Sequence, residues 1–249
     1  MRTLKQQVED ALWYLKKPGQ TRADESKAIE ILSTIASGKK GGKELVEKIQ
    51  NSKPTLDTAT VPWGALRGVE IAVVIGHEPG GGASGERAWN KKCGAMMKCT
   101  LEKHGAKVLL YEHKIRSYGA RQDAMRAAVK TALPSCFMVW ELHYDGYKPR
   151  PAASGHHFKY RGAKDLARLT QEEFSNQYPQ SRARFSGGLH HCTSGNGAGF
   201  LKKSPGWAIL TEPFFITNPA EKEFFKNRWG EVSEIYCMTA ARFAKLKGK

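Results

Sequence analysis

From residue 69 to residue 246, short apolar runs alternate with longer stretches of helical character, and no other feature of the chain restricts its fold as much. Val69 to Ile75 is a β-branched run closed by Gly76, the pattern of a buried strand. Glu86 to Lys103 predicts a helix ending at His104-Gly105, Lys107 to Tyr111 a strand, 117–132 a helix, and Cys136 to Leu142 another apolar strand. His156 to Tyr160 reads as a strand, 162–177 as a helix, Trp207 to Thr211 as the last strand, and 219–246 as one long helix. Strands that take turns with helices predict an α/β domain with a mainly parallel, twisted sheet flanked by helices.

This domain is expected over residues 67–249. Ahead of it, residues 1–52 predict a small helical module. Leu4, Val8, Leu12 and Leu15 recur every three or four residues until Pro18-Gly19, and Ala28, Ile31, Leu32 and Ile35 form a second stripe. Leu45, Val46 and Ile49 mark a third, shorter helix. Residues 53–66, with Pro54, Thr58, Thr60 and Pro62, read as a linker.

The 40 Lys and Arg against 24 Asp and Glu leave a formal charge of +16. Such a field attracts polyanions, and nucleic acid, an anionic membrane and an anionic wall all qualify on charge alone. The cysteines (Cys93, Cys99, Cys136, Cys192, Cys237) are scattered without a C-x-x-C pair, so free thiols in a reducing compartment are expected and a cysteine-held metal is not. The start, Met1-Arg2-Thr3-Leu4-Lys5-Gln6-Gln7, lacks the apolar core of a secretory signal, and a protein made in the cytoplasm is expected.

In α/β folds, ligands collect at the carboxyl ends of the strands. His77 follows the first strand, with Glu86 closing the glycine-rich loop behind it; His143 follows the strand 136–142, and Glu212 the last strand. Two histidines and one carboxylate are the usual protein ligands of a catalytic zinc. A further carboxylate is needed to take a proton from water and return it to a leaving group. His77, Glu86 and His143 fit the first role and Glu212 the second, with Glu78 as an alternative to Glu86 for the oxygen ligand. The run Gly80-Gly81-Gly82 with Gly85 fits a tight turn or a phosphate cradle, but it is not the G-x-x-x-x-G-K-[ST] of a nucleotide loop. Glu141 shares a strand face with His143, which predicts a buried hydrogen-bonding role. In His156-His157 the two side chains point to opposite faces of a strand, which argues against joint ligation.

These residues resemble the zinc-dependent N-acetylmuramoyl-L-alanine amidases of bacterial autolysins and phage endolysins, over about residues 69–245. The resemblance lies in Val73-Val74-Ile75-Gly76-His77, in Gly82-Ala83-Ser84-Gly85-Glu86 with Asn90 four residues on, and in His104-Gly105-Ala106-Lys107-Val108. It continues in Phe137-Met138-Val139-Trp140-Glu141-Leu142-His143 and is most specific in Leu210-Thr211-Glu212-Pro213-Phe214-Phe215-Ile216-Thr217-Asn218-Pro219. The chain departs from the family where Glu78 replaces the glycine after the first histidine, where Glu141 and Tyr144-Asp145 replace small polar residues, and at Phe214.

The resemblance implies a hydrolase that cuts the amide between N-acetylmuramic acid and L-alanine in peptidoglycan, with Zn²⁺ held by His77, Glu86 and His143 and with Glu212 as the base. With a start unlike a secretory signal and a two-part build, a phage lysis enzyme that acts on the wall after release is expected, with a bacterial origin as the alternative. Arg121, His190, His191 and Asn196 are candidates for contact with substrate. Anionic wall or outer-membrane polymers suit the charge, no nucleic-acid partner is expected, and the N-terminal helices are candidates for wall binding or oligomerisation. The rival expectations are the same fold acting on another wall bond, and a non-catalytic basic binding protein.

Overall fold

The computed structural model describes residues 58–146 and 152–249. The helical module expected over residues 1–52 lies outside the described residues, as do linker residues 53–57. The rest of the predicted linker is part of the folded domain. Val61 and Leu66 are buried, Trp63 stacks on His104 with ring centroids 4.1 Å apart, and a 3-10 turn spans Trp63–Leu66.

The elements run β1 (Glu70–Ile75), α1 (Glu86–Lys103), β2 (Lys107–Glu112), α2 (Tyr118–Ala132), β3 (Met138–Leu142), β4 (His157–Tyr160), α3 (Lys164–Gln177) and β5 (Leu189–His191). They close with α4 (Ala198–Lys203), β6 (Trp207–Glu212), α5 (Pro219–Phe225) and α6 (Trp229–Leu246). The sheet order is β2-β1-β3-β6-β4-β5. The first four strands in that order are parallel, as the alternation predicts. β4 pairs antiparallel with β6 and parallel with β5, so two strands at one edge run against the rest.

β1 and β3 are buried along almost their whole length, which requires cover on both faces. The two-residue period divides β1 between the layers. Ala72 and Val74 join Met125 and Val129 of α2 and Phe200 and Leu201 of α4 in one core cluster. Ile75 lies on the opposite side, where the Cβ missing from Gly94 of α1 leaves room for its Cδ1. Each large aliphatic side chain buried here contributes roughly 1.5–3 kcal/mol.

Two differences from the expected elements bear on the site. Residues 189–191 form a strand that the sequence pattern does not predict. The long helix over 219–246 is two helices, α5 and α6, and the Asn218 side chain caps the first by accepting from the Ala220 and Glu221 amides.

Candidate metal centre and catalytic cleft

The site forms where β1, β3 and β6 end side by side. The Gly76 amide donates to the Leu142 carbonyl at 2.9 Å, so the chain leaves β1 pressed against the start of the His143 loop. A Cβ at position 76 would collide with that carbonyl and with the His143 ring, hence the glycine. His77 then adopts φ 62°, a left-handed conformation uncommon outside glycine. Strained backbone of this kind collects at functional sites. The turn aims the His77 ring at His143, with centroids 4.6 Å apart.

Glu86 opens α1 and is 2% exposed. Its Oε2 accepts from the Ala83 amide at 2.9 Å and its Oε1 from the Tyr144 amide at 3.0 Å. The same Oε1 lies 3.1 Å from His77 Nε2 and 3.2 Å from His143 Nδ1. Gly82, at φ 78°, makes this packing possible, since a Cβ there would stand 2.6 Å from His77 Cδ2 and 2.8 Å from Glu86 Oε2. Burial alone would raise the Glu86 carboxyl, but the hydrogen bonds from His143 and His77 hold it well below the usual carboxylate range.

A second carboxylate stands behind His143. Glu141 Oε2 lies 3.5 Å from His143 Nε2, and Oε1 lies 3.3 Å from Nε2 of His113, which is fully buried. Burial lowers the proton affinity of His143, yet Glu141 and Glu86 together push its pKa up to about 10. The donor set is thus two imidazoles and a carboxylate whose ligand atoms lie within 4.8 Å of one another, with surplus negative charge around them. That chemistry fits a zinc ion.

Across the cleft, β6 ends in Glu212. The register pairs Leu142 with Thr211, and the His143 amide donates to the Thr211 carbonyl at 3.0 Å, so His143 and Glu212 leave neighbouring strands together. On the other side β4 pairs His157 with Glu212. Lys159 Nζ stands 2.7 Å from Glu212 Oε1, and His157 Nε2 stands 4.0 Å from it. Burial would raise the Glu212 carboxyl, but Lys159 and the histidines beside it bring it below its ordinary value. Asp145 is pushed up to about 6 by burial and by the Glu212 carboxylate, with Arg184 paired to it. Asp145, His157 and Glu212 also converge within 4.8 Å. Here Lys159 and Arg184 already supply the positive charge, so this group is an ion-pair cluster rather than a second metal set.

His77, Glu86 and His143 of the first group and Asp145 and Glu212 of the second line one cleft of about 450 Å³. Among the other residues singled out from the sequence, Arg121 and Asn196 line that cleft. Arg121 pairs with Glu78, and this engages the alternative oxygen ligand: Glu78 is absent from the group formed by His77, Glu86 and His143. His190 and His191 do not line the cleft. His190 stacks on Phe185 with centroids 4.5 Å apart, and His191, exposed on the other face of β5, stacks on Tyr160 at 5.2 Å. The expected split of the first histidine pair is present. His156 turns to Ser181 and Gln171, and His157 turns to Asp145 and Glu212. Lys159, on the cleft wall, and His157, buried behind it, are the residues beside Glu212 that sequence reasoning missed. The alternation in His157-Phe158-Lys159 put the two polar side chains on one face, but nothing local said that this face meets Glu212.

The profile of the N-acetylmuramoyl-L-alanine amidase family matches residues 71–235. A comparison with curated protein sequences gives no match. Among solved structures, the chain is similar to the N-acetylmuramoyl-L-alanine amidase AmiC2 of Nostoc punctiforme, at 16% identity and TM-score 0.60, over 71% of this chain and 97% of that one. It is similar to the N-acetylmuramoyl-L-alanine amidase from Clostridium difficile 630, at 19% identity and TM-score 0.55, over 74% and 99% of the two chains. It is also similar to the catalytic domain of the CD27L endolysin targeting Clostridia Difficile, at 18% identity and TM-score 0.57, over 70% and 97%.

Proposed function

Because the chain belongs to the N-acetylmuramoyl-L-alanine amidase family, we propose that its cleft hydrolyses the amide joining N-acetylmuramic acid to L-alanine in peptidoglycan, with Zn²⁺ held by His77, Glu86 and His143 and with Glu212 as the base. The observation that carries this reading is the convergence of those three ligands, within 4.8 Å of one another, on the cleft that Glu212 also lines.

When bound, Zn²⁺ supplies Lewis-acid polarisation of the scissile carbonyl and an acidified water. Glu86 presents one oxygen toward both histidines while the Ala83 and Tyr144 amides fix its carboxylate. Glu212, ionised and nearly enclosed, accepts the proton that water loses as its oxygen adds to the carbonyl carbon. It then returns that proton to the leaving nitrogen as the carbon–nitrogen bond breaks. Arg121 and Asn196, on the cleft wall, are positioned to contact the substrate's polar groups.

The setting we favour is phage lysis, with the protein made in a host cytoplasm and acting on the wall after release. The likeness to an endolysin catalytic domain supports it, and the charge of +16 suits an anionic wall or outer-membrane polymer.

The test uses dye-labelled peptidoglycan, wild-type protein and Glu212→Ala, each with and without a chelator, with bound zinc assayed in both. Wild type is expected to release dye and to be stopped by the chelator, whereas the variant keeps zinc without releasing dye. Analysis of the digest for newly freed alanine amino termini separates this bond from other wall amides. A wild type that carries no zinc and releases nothing would overturn the proposal.

A further inference from the structure

Glu212 has charged or titratable neighbours on each side. The end of β3 contributes His143 and the loop after it Asp145, β4 contributes His157 and Lys159, and His190 of β5 and Arg184 lie beyond them. Among the described residues, Lys159 is the cation in hydrogen-bond contact with the Glu212 carboxylate, at 2.7 Å. His157 is farther away, and burial, above all, pulls its pKa down to about 3, so it brings no charge to the pair near neutral pH. Arg184 is spent on Asp145.

Lys159 is built into this position. Antiparallel pairing sets His157 opposite Glu212 and Lys159 opposite Leu210. Lys159 therefore lies on the same face as Glu212, one diagonal step away, within reach of a long side chain. Its stem runs past Gly197, where a Cβ would stand 3.5 Å from Lys159 Cδ and 2.9 Å from Leu210 Cδ1. The side chain is only 13% exposed, so the ammonium is held rather than sampled.

We infer that Lys159 is the positioning residue of the catalytic base: its ammonium, held at 2.7 Å, fixes the Glu212 carboxylate in one orientation and supplies its counter-charge. This rests on the reading of Glu212 as the base. Without Lys159, the nearly enclosed Glu212 carboxylate has no hydrogen-bonded cation among the described residues, and burial then favours its protonated form. The base would then hold a proton at a pH where it should be ready to accept one. Because the effect acts through the base, it falls on turnover and not on substrate affinity.

The experiment measures kcat and KM of the zinc-loaded full chain on a soluble muramyl peptide from pH 5 to pH 8, for wild type, Lys159→Met, Lys159→Arg and Glu212→Ala. Infrared difference titration of each Lys159 variant against its Glu212→Gln counterpart follows the carboxylate band directly. Lys159→Met is expected to lose about tenfold more kcat at pH 5 than at pH 7, with KM within about twofold of wild type. The Glu212 band should titrate at higher pH, and Lys159→Arg should restore most of the profile. If Lys159→Met does not fold, Lys159→Gln removes the same charge and carries the same expectation. Equal loss at both pH values, or a raised KM with an unmoved profile, overturns the inference and makes Lys159 a structural or substrate-binding residue. An inactive Glu212→Ala beside a wild-type profile in Lys159→Met overturns this inference alone. An active Glu212→Ala overturns the assignment of the base and this inference with it.

Discussion

Glu141→Gln isolates what the carboxylate behind His143 contributes. Glu141 is 2% exposed and lies between His143 Nε2 at 3.5 Å and His113 Nε2 at 3.3 Å. Glutamine keeps the volume and one acceptor but removes the charge. A carboxylate on the far nitrogen of a metal-binding imidazole orients the ring and raises its basicity, and its loss typically costs about 10–100-fold in metal affinity. The contact to His143 is at the long end of hydrogen-bond geometry, which puts the expected loss near the low end, about tenfold or about 1.4 kcal/mol. Metal-free protein should lose more, about 3 kcal/mol of stability, because the buried His143 loses one of its two carboxylate partners. Competition with a chromophoric chelator gives the zinc affinity, and thermal unfolding with and without zinc gives the stability of each form. A folded variant whose zinc affinity stays within about twofold of wild type would refute the reasoning, since Glu141 would then serve only the packing of β3.

Three other expectations follow from the same geometry. Gly82→Ala should cost about 1–2 kcal/mol for the left-handed backbone and should weaken zinc binding by pushing on the His77 and Glu86 side chains, readable by unfolding and chelator competition. Asn90→Ala removes the 3.0 Å hydrogen bond that ties α1 to the Leu142 carbonyl. That carbonyl keeps the Gly76 amide, so the loss should be about 1 kcal/mol in a denaturant titration. His157, held neutral with a pKa pushed down to about 3, takes up its proton in the unfolded chain first as pH falls below about 6.5. The stability it contributes is therefore present above about pH 6.5 and is lost progressively toward pH 3. In zinc-free protein, His157→Gln should flatten that decline by at most about 5 kcal/mol, and an unchanged pH profile of the melting temperature would contradict it.

Those expectations draw on two kinds of residue that the sequence exposes unequally. His77, Glu86, His143 and Glu212 stand out because each follows an apolar run or opens a helix after one. A parallel strand that ends in a polar residue delivers it to the carboxyl edge of the sheet whichever neighbour it pairs with. The fourfold coincidence is thus legible without knowing the strand order. Lys159 and His157 depend on something non-local. β4 enters between β6 and β5 in the antiparallel sense, and only that register sets His157 opposite Glu212. β5 itself is three residues long, Leu189–His191, with one aliphatic side chain, and such a run carries no strand period to detect.

This difference divides the cleft in two. The parallel strands β1 and β3, with the start of α1, supply the three candidate ligands and Glu141 behind them, and the end of β2 adds His113. The antiparallel edge supplies the positive charge: Lys159 on Glu212, with Arg184 on Asp145 beside it. A chain with the same first four strands but another edge would keep the residues suited to holding a metal and lose the control over the base. Substitutions in β4 are therefore expected to change turnover and its pH dependence while leaving zinc affinity unchanged, and substitutions around Glu141 should do the reverse. Measuring both quantities on one set of β4 and β3 variants tests whether the two halves of the cleft act as separately as their strands are built.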